Sequence, residues 1–125
     1  MRLGLPALLM AGLLSGCSIK KMAVNALADE LSSGGTSSFT TDEDLELVGD
    51  AIPFALKLME SLLASAPEHE GLHLALASGF AQYAVVYAEL PASQLKYDDY
   101  RAYREGMARA RRLELRARKY ALGGL

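Results

Sequence analysis

Between residues 97 and 122 the chain sets Tyr100, Tyr103, Met107, Ala110, Leu113, Ala117 and Tyr120 at three- and four-residue steps. This spacing keeps them on one stripe of an α-helix, and an apolar stripe of that length needs another helix to cover it. No segment of the chain keeps the two-residue alternation of a half-buried strand. The residues are 51% hydrophobic, rich in Ala and Leu and without Trp, a composition that favours helices. The fold class is therefore all-α, built from antiparallel helical hairpins.

Glycines, prolines and capping residues divide the rest. Residues 20–31 place Ala23, Leu27 and Leu31 at i, i+4 and i+8, the pattern of a short amphipathic helix. Ser32-Ser33-Gly34-Gly35-Thr36-Ser37-Ser38 follows as a flexible connector. Its Gly-Gly-Thr has no Gly-Lys-Ser/Thr after it and so is no phosphate loop. Thr41 before Asp42, Glu43 and Asp44 is a helix start, with a capping hydroxyl and acids beside the positive end of the helix dipole. Pro53 removes a backbone donor and disfavours helical geometry at Ile52, which predicts a break or kink over 49–53. From 53 to 65 Phe54, Leu58 and Leu62 share a stripe with Met59 and Leu63 beside it. Ala66-Pro67 closes that helix, a third runs over 71–89, and Leu90-Pro91-Ala92-Ser93 reads as the next turn.

The N-terminus has an export plan. Arg2 precedes an apolar run from 3 to 14, then Ser15, Gly16 and Cys17. The run is 12 residues, against the roughly 20 of a spanning helix. Leu14-Ser15-Gly16-Cys17 resembles the lipobox of bacterial lipoproteins. That resemblance implies removal of residues 1–16 as a signal peptide and a diacylglycerol thioether on Cys17, which becomes the first residue of a single domain, 17–125. Cys17 is the only cysteine, so the exported chain forms no internal disulfide and must be stabilised by packing.

Charge is unevenly placed. Residues 17–100 carry four lysines against thirteen acids, whereas 101–125 carry seven arginines and Lys119 against Glu105 and Glu114. An exported chain meets no nucleic acid, so the basic segment reads as a solvated helix face or one that pairs with the acidic half.

Two motifs bear on chemistry. His69-Glu70-Gly71-Leu72-His73 fits the H-E-x-x-H zinc-peptidase pattern, in which two histidines one turn apart hold the metal and the glutamate takes a proton from bound water. Here Pro67 and Gly71 place it across a helix start, and no downstream motif supplies a third ligand. No metal or other cofactor is expected. Phe80, Tyr83 and Tyr87 form an aromatic stripe at i, i+3 and i+7, which reads first as packing between helices. The chain has neither a Gly-x-Ser-x-Gly elbow nor a dinucleotide fingerprint, and it is not expected to be an enzyme.

The hairpins match a tetratricopeptide pattern degenerately. If Pro67 closes one unit, Ala55 and Met59 fall on the small and aromatic positions of its second helix, and Leu76, Ala77 and Phe80 fall on the Leu, Gly/Ala and Tyr/Phe positions of the first helix of the next. The stretch Asp44-Leu45-Glu46-Leu47-Val48-Gly49-Asp50-Ala51-Ile52-Pro53-Phe54-Ala55-Leu56-Lys57-Leu58-Met59-Glu60-Ser61-Leu62-Leu63 resembles the signature of the TRAP transporter T-component family. Ala77-Ser78-Gly79-Phe80-Ala81-Gln82-Tyr83-Ala84 and Arg118-Lys119-Tyr120-Ala121-Leu122 resemble its following blocks. These proteins are periplasmic lipoproteins on tetratricopeptide-like helices. The resemblance implies an accessory of a TRAP-type uptake system that binds the substrate-binding protein, with an apolar ligand channel to which Phe80, Tyr83 and Tyr87 would contribute, and with a homo-oligomer among the family's arrangements. Family members run to more than twice this length, so the match reads as the N-terminal part. A helical scaffold for envelope assembly is the alternative, and a zinc peptidase a remote one. Ser18 after the cysteine, where an aspartate would retain a lipoprotein in the inner membrane, points to a periplasmic location on the outer membrane.

Overall fold

In a computed structural model of the chain, the backbone is described for 5–33 and 41–125, and the side chains for 18–33 and 41–125. Every regular element among the described residues is helical: α1 (Leu5–Ser33), α2 (Leu45–Ser65), α3 (Glu70–Ala84), a π-helical turn (Val85–Glu89), α4 (Leu90–Gln94) and α5 (Tyr100–Gly123). The all-α reading holds. The lipobox and the Cys17 side chain lie outside the described side chains, and 34–38 of the connector lie outside the described residues.

Three of the helices start at a capping side chain. Asp44 accepts from the Leu47 N–H at 3.0 Å and caps α2, and Asp99 accepts from the Ala102 N–H at 2.9 Å and caps α5. The cap of α2 is thus Asp44, three residues beyond the expected Thr41. Helix α3 begins at His69, whose Nδ1 accepts from the Leu72 N–H at 3.1 Å.

Two expected interruptions are absorbed. Pro53 lies inside an unbroken α2. Tertiary contact holds the turn before it: Val48 and Gly49 are buried, and the Tyr87 hydroxyl donates to the Leu45 carbonyl at 2.9 Å. Pro91 likewise starts α4 instead of a turn. The π turn that precedes it bonds the Leu90 N–H to the Val85 carbonyl, and the Arg109 guanidinium reaches the Tyr87 carbonyl at 3.3 Å. That carbonyl is the one a residue with an N–H at position 91 would have met. The chain turns at 95–98 instead.

Helix α3 is central, packing against α5, α2 and α1. Its Leu72 and Leu76 are fully buried, with Ala75 and Phe80 beside them. Ala28 comes from α1, Leu56, Met59 and Leu63 from α2, and Ala117 from α5. Contacts run antiparallel along the α2–α3 pair, with Gly49 against Tyr87 and Gly79 against Leu56.

Two stripes are rotated from expectation. On α2 the buried line is Leu56, Met59 and Leu63, while Phe54 stays 74% exposed. On α1 Ala28 is buried and Leu27 is largely exposed. Both segments hold apolar residues on more than one face, so spacing alone does not select the core side; the surface offered by α3 does. On α5 the stripe is as expected at Ala110 and Ala117, with Tyr103, Met107, Leu113 and Tyr120 half-buried, but Tyr100 is exposed.

Candidate functional site

Helices α2 and α5 flank α3, and one cluster links them across it. The carboxylate of Glu60, on α2, takes Nε and Nη2 of Arg116 at 2.7 Å each, one to each oxygen. Lys57 donates to the same carboxylate at 2.6 Å, and the Tyr120 hydroxyl donates to it as well. The guanidinium of Arg116 also lies over the Phe80 ring, 4.9 Å from its centre. Burial pushes the Glu60 carboxyl up, yet hydrogen bonds from Lys57, Tyr120 and Arg116 together hold it below its ordinary value. Burial and the bond to Glu60 raise Tyr120. None of the motifs in the sequence marks this cluster. Its one signal is an acid, Glu60, set among Met59, Leu62 and Leu63.

The aromatic stripe divides between two environments. Phe80 is buried and stacked on Tyr120, with ring centres 5.8 Å apart. Tyr83 and Tyr87 are half-buried and stacked at 5.1 Å. Arg109 lies over Tyr83 at 5.6 Å from the ring centre and donates to its hydroxyl at 3.5 Å. Among these stacked rings only Phe80 belongs to the core, and Tyr83 and Tyr87 continue towards the surface between α2 and α5.

The two histidines of the H-E-x-x-H motif have structural duties. His69 Nδ1 caps α3, which leaves Nε2–H to donate to Asp29 of α1 at 3.0 Å. His73 Nε2 donates to the Pro67 carbonyl at 2.9 Å, and its Nδ1 is buried without a hydrogen-bond partner. His73 also packs against Gly123 and Gly124 at the end of α5. The two rings point to different neighbours, and among the described residues no cluster of three His, Cys, Asp or Glu could hold a metal.

Among the described residues the basic segment pairs with the acidic half at a single ion pair, Arg116 to Glu60, while Arg101 pairs locally with Glu105 at 3.0 Å. Among the described residues no helix is long and apolar enough to cross a membrane.

Helices packed about α3 and cross-linked by polar side chains define an all-α helical class, and comparison with known proteins makes this specific. The chain belongs to the TRAP transporter T-component family, whose model matches residues 41–125. This is a family of transporter components and not of enzymes. The chain is also similar to an uncharacterized protein of Treponema pallidum (strain Nichols), 35% identical over 126 residues that cover 90% of this chain and 39% of that protein. It thus spans about two fifths of the length of that relative. No solved structure matches it.

Proposed function

We propose that the chain serves a TRAP-type solute uptake system as a periplasmic accessory, tethered to the outer membrane through acylated Cys17 and binding the system's substrate-binding protein. The observation that carries this reading is the family match over residues 41–125. The helical surface supplies contact area for a partner. The two hairpins serve as a short tetratricopeptide-like scaffold, and the Tyr83–Tyr87 stack, which meets α2 at Leu45 and α5 at Arg109, is the place for an apolar ligand. Apolar side chains also stand open in the acidic part of the sequence, where Leu45, Leu47 and Phe54 are 64%, 59% and 74% exposed. Exposed apolar groups of this size suit protein contact.

Cross-linking in cells followed by mass spectrometry tests the partner. Recovery of the TRAP substrate-binding protein supports the reading, and recovery of envelope-assembly factors with no solute receptor replaces it with a scaffold role. Metabolic labelling with a fatty acid, lost in Cys17→Ser, tests the tether independently.

A further inference from the structure

The tyrosine stack and the start of α2 meet in one residue, Tyr87, and that residue is held from both ends. Its hydroxyl donates to the Leu45 carbonyl at 2.9 Å, and its ring lies on Gly49, where an added Cβ would come within 2.5 Å of Cε1. Its backbone carbonyl takes the guanidinium of Arg109, on α5, at 3.3 Å. Helices α2 and α5 therefore both close on the π turn Val85–Glu89 through a single residue.

The backbone makes this junction sensitive. In an α-helix the Tyr87 carbonyl would accept from the N–H four residues on, but residue 91 is proline and has none. The Leu90 N–H is spent on the Val85 carbonyl. Arg109 supplies the donor to Tyr87 instead, and it is shared, since it also reaches the Tyr83 hydroxyl at 3.5 Å and lies over the Tyr83 ring. Both bonds are long, and long bonds give way more easily than those near 2.9 Å. A change at the stack that draws Arg109 off the Tyr87 carbonyl loosens the turn that seats the ring on Gly49. At the far end of that ring lies the first turn of α2, with Leu45 and Leu47.

We propose that Tyr87 couples the tyrosine stack to the start of α2: the hold of Arg109 on Tyr87 sets how firmly the first turns of α2 are closed, and through it the stack regulates the protein contact at Leu45 and Leu47. The proposal rests on the function proposed above for what binds at its two ends. The coupling itself is built from contacts among α2, the π turn and α5 and asks nothing of the surface around them. Coupling of this kind is reciprocal, so a protein seated on the start of α2 also changes the stack.

Amide hydrogen exchange of the free full chain reads the coupling with neither ligand nor partner added, so its failure and the absence of a TRAP partner are separate results. Parent, Arg109→Met, Tyr87→Phe and the double variant are compared at residues 48–50 of α2 and at 72–76 of α3. Arg109→Met is expected to speed exchange at 48–50 roughly fivefold, the effect of about one hydrogen bond, and Tyr87→Phe to do the same, while 72–76 stay unchanged. In the double variant the factor stays near fivefold, because both substitutions cut one path. Unchanged exchange at 48–50 in Arg109→Met overturns the proposal. So does a double variant whose factor is the product of the two, or an equal acceleration at 72–76, which is a loss of global stability alone. If circular dichroism shows that Arg109→Met loses helix, Arg109→Lys takes its place and the same outcomes decide.

Discussion

Glu60 and Arg116 lie 56 positions apart and meet through two parallel hydrogen bonds of 2.7 Å, which tie α2 to α5 over the buried ring of Phe80. Paired N–H donors on one carboxylate form the geometry in which arginine binds most strongly. The Glu60 carboxylate is only 10% exposed, whereas Arg116 is 42% exposed, so the pair lies between a surface bridge and a buried one. Glu60→Gln is expected to cost about 1–2 kcal/mol, read from urea unfolding. Glu60→Gln and Arg116→Ala together should cost clearly less than the sum of the two alone.

The same pair sets a pH dependence. Glu60 is held below its ordinary value in the fold. Its contribution is therefore complete above the ordinary carboxylate range and is lost as pH falls through the lower folded value. The stability gap between parent and Glu60→Gln should be flat from about pH 6 to 8 and close towards about pH 3. A gap that widens on acidification contradicts the assignment.

Gly106 and Gly79 should respond differently to the same change. A Cβ at Gly106 meets the Cβ of Ala92, which cannot move without its backbone, while one at Gly79 meets Leu56 Cδ2 at 2.7 Å, the end of a flexible side chain. Alanine gains about 1 kcal/mol over glycine inside a helix. That gain should leave Gly79→Ala near neutral, whereas Gly106→Ala is expected to destabilise by about 1–3 kcal/mol. Thermal unfolding of the two variants measures the difference.

His69 is expected to act as a cap and not as a ligand. His69→Ala removes the acceptor for the Leu72 N–H and the bond to Asp29, for a loss of about 1 kcal/mol. His69→Asn should restore most of it, because asparagine caps well. Added zinc should leave the melting temperature of the parent and both variants unchanged.

The buried side of α2 is checked by a pair of truncations. Leu56→Ala should cost about 2–5 kcal/mol, since Leu56 is 3% exposed and part of the core. Phe54→Ala should lie within about 0.5 kcal/mol of the parent, since Phe54 is 74% exposed. The reverse order would return the core to the stripe that spacing alone suggested.

That stripe shows where sequence reasoning stops. The helix class, the boundary at Ala66 and most of the α5 stripe follow from local periodicity and caps, which are properties of adjacent residues. Pro53 and Pro91 read as breaks because their missing N–H is local, whereas what absorbs them is distant: Tyr87 against Gly49, and Arg109 on the Tyr87 carbonyl. The Glu60 cluster was invisible for the same reason, since its four side chains come from two helices and no short motif spans them. The histidine motif shows the converse, a spacing that means less than its pattern suggests once Pro67 and Gly71 put it across a helix start. Its spacing fits a metal pair, but a helix that begins at His69 turns one ring into a cap and sends the other to Pro67 and the end of α5.

Titration calorimetry of the protein in detergent against the TRAP substrate-binding protein of the same organism is the most direct measure of the central claim. The account predicts saturable binding of defined stoichiometry that Leu47→Asp and Phe54→Asp weaken at least tenfold while the fold stays intact. No heat and no complex by sedimentation at about 100 μM of each protein would contradict it.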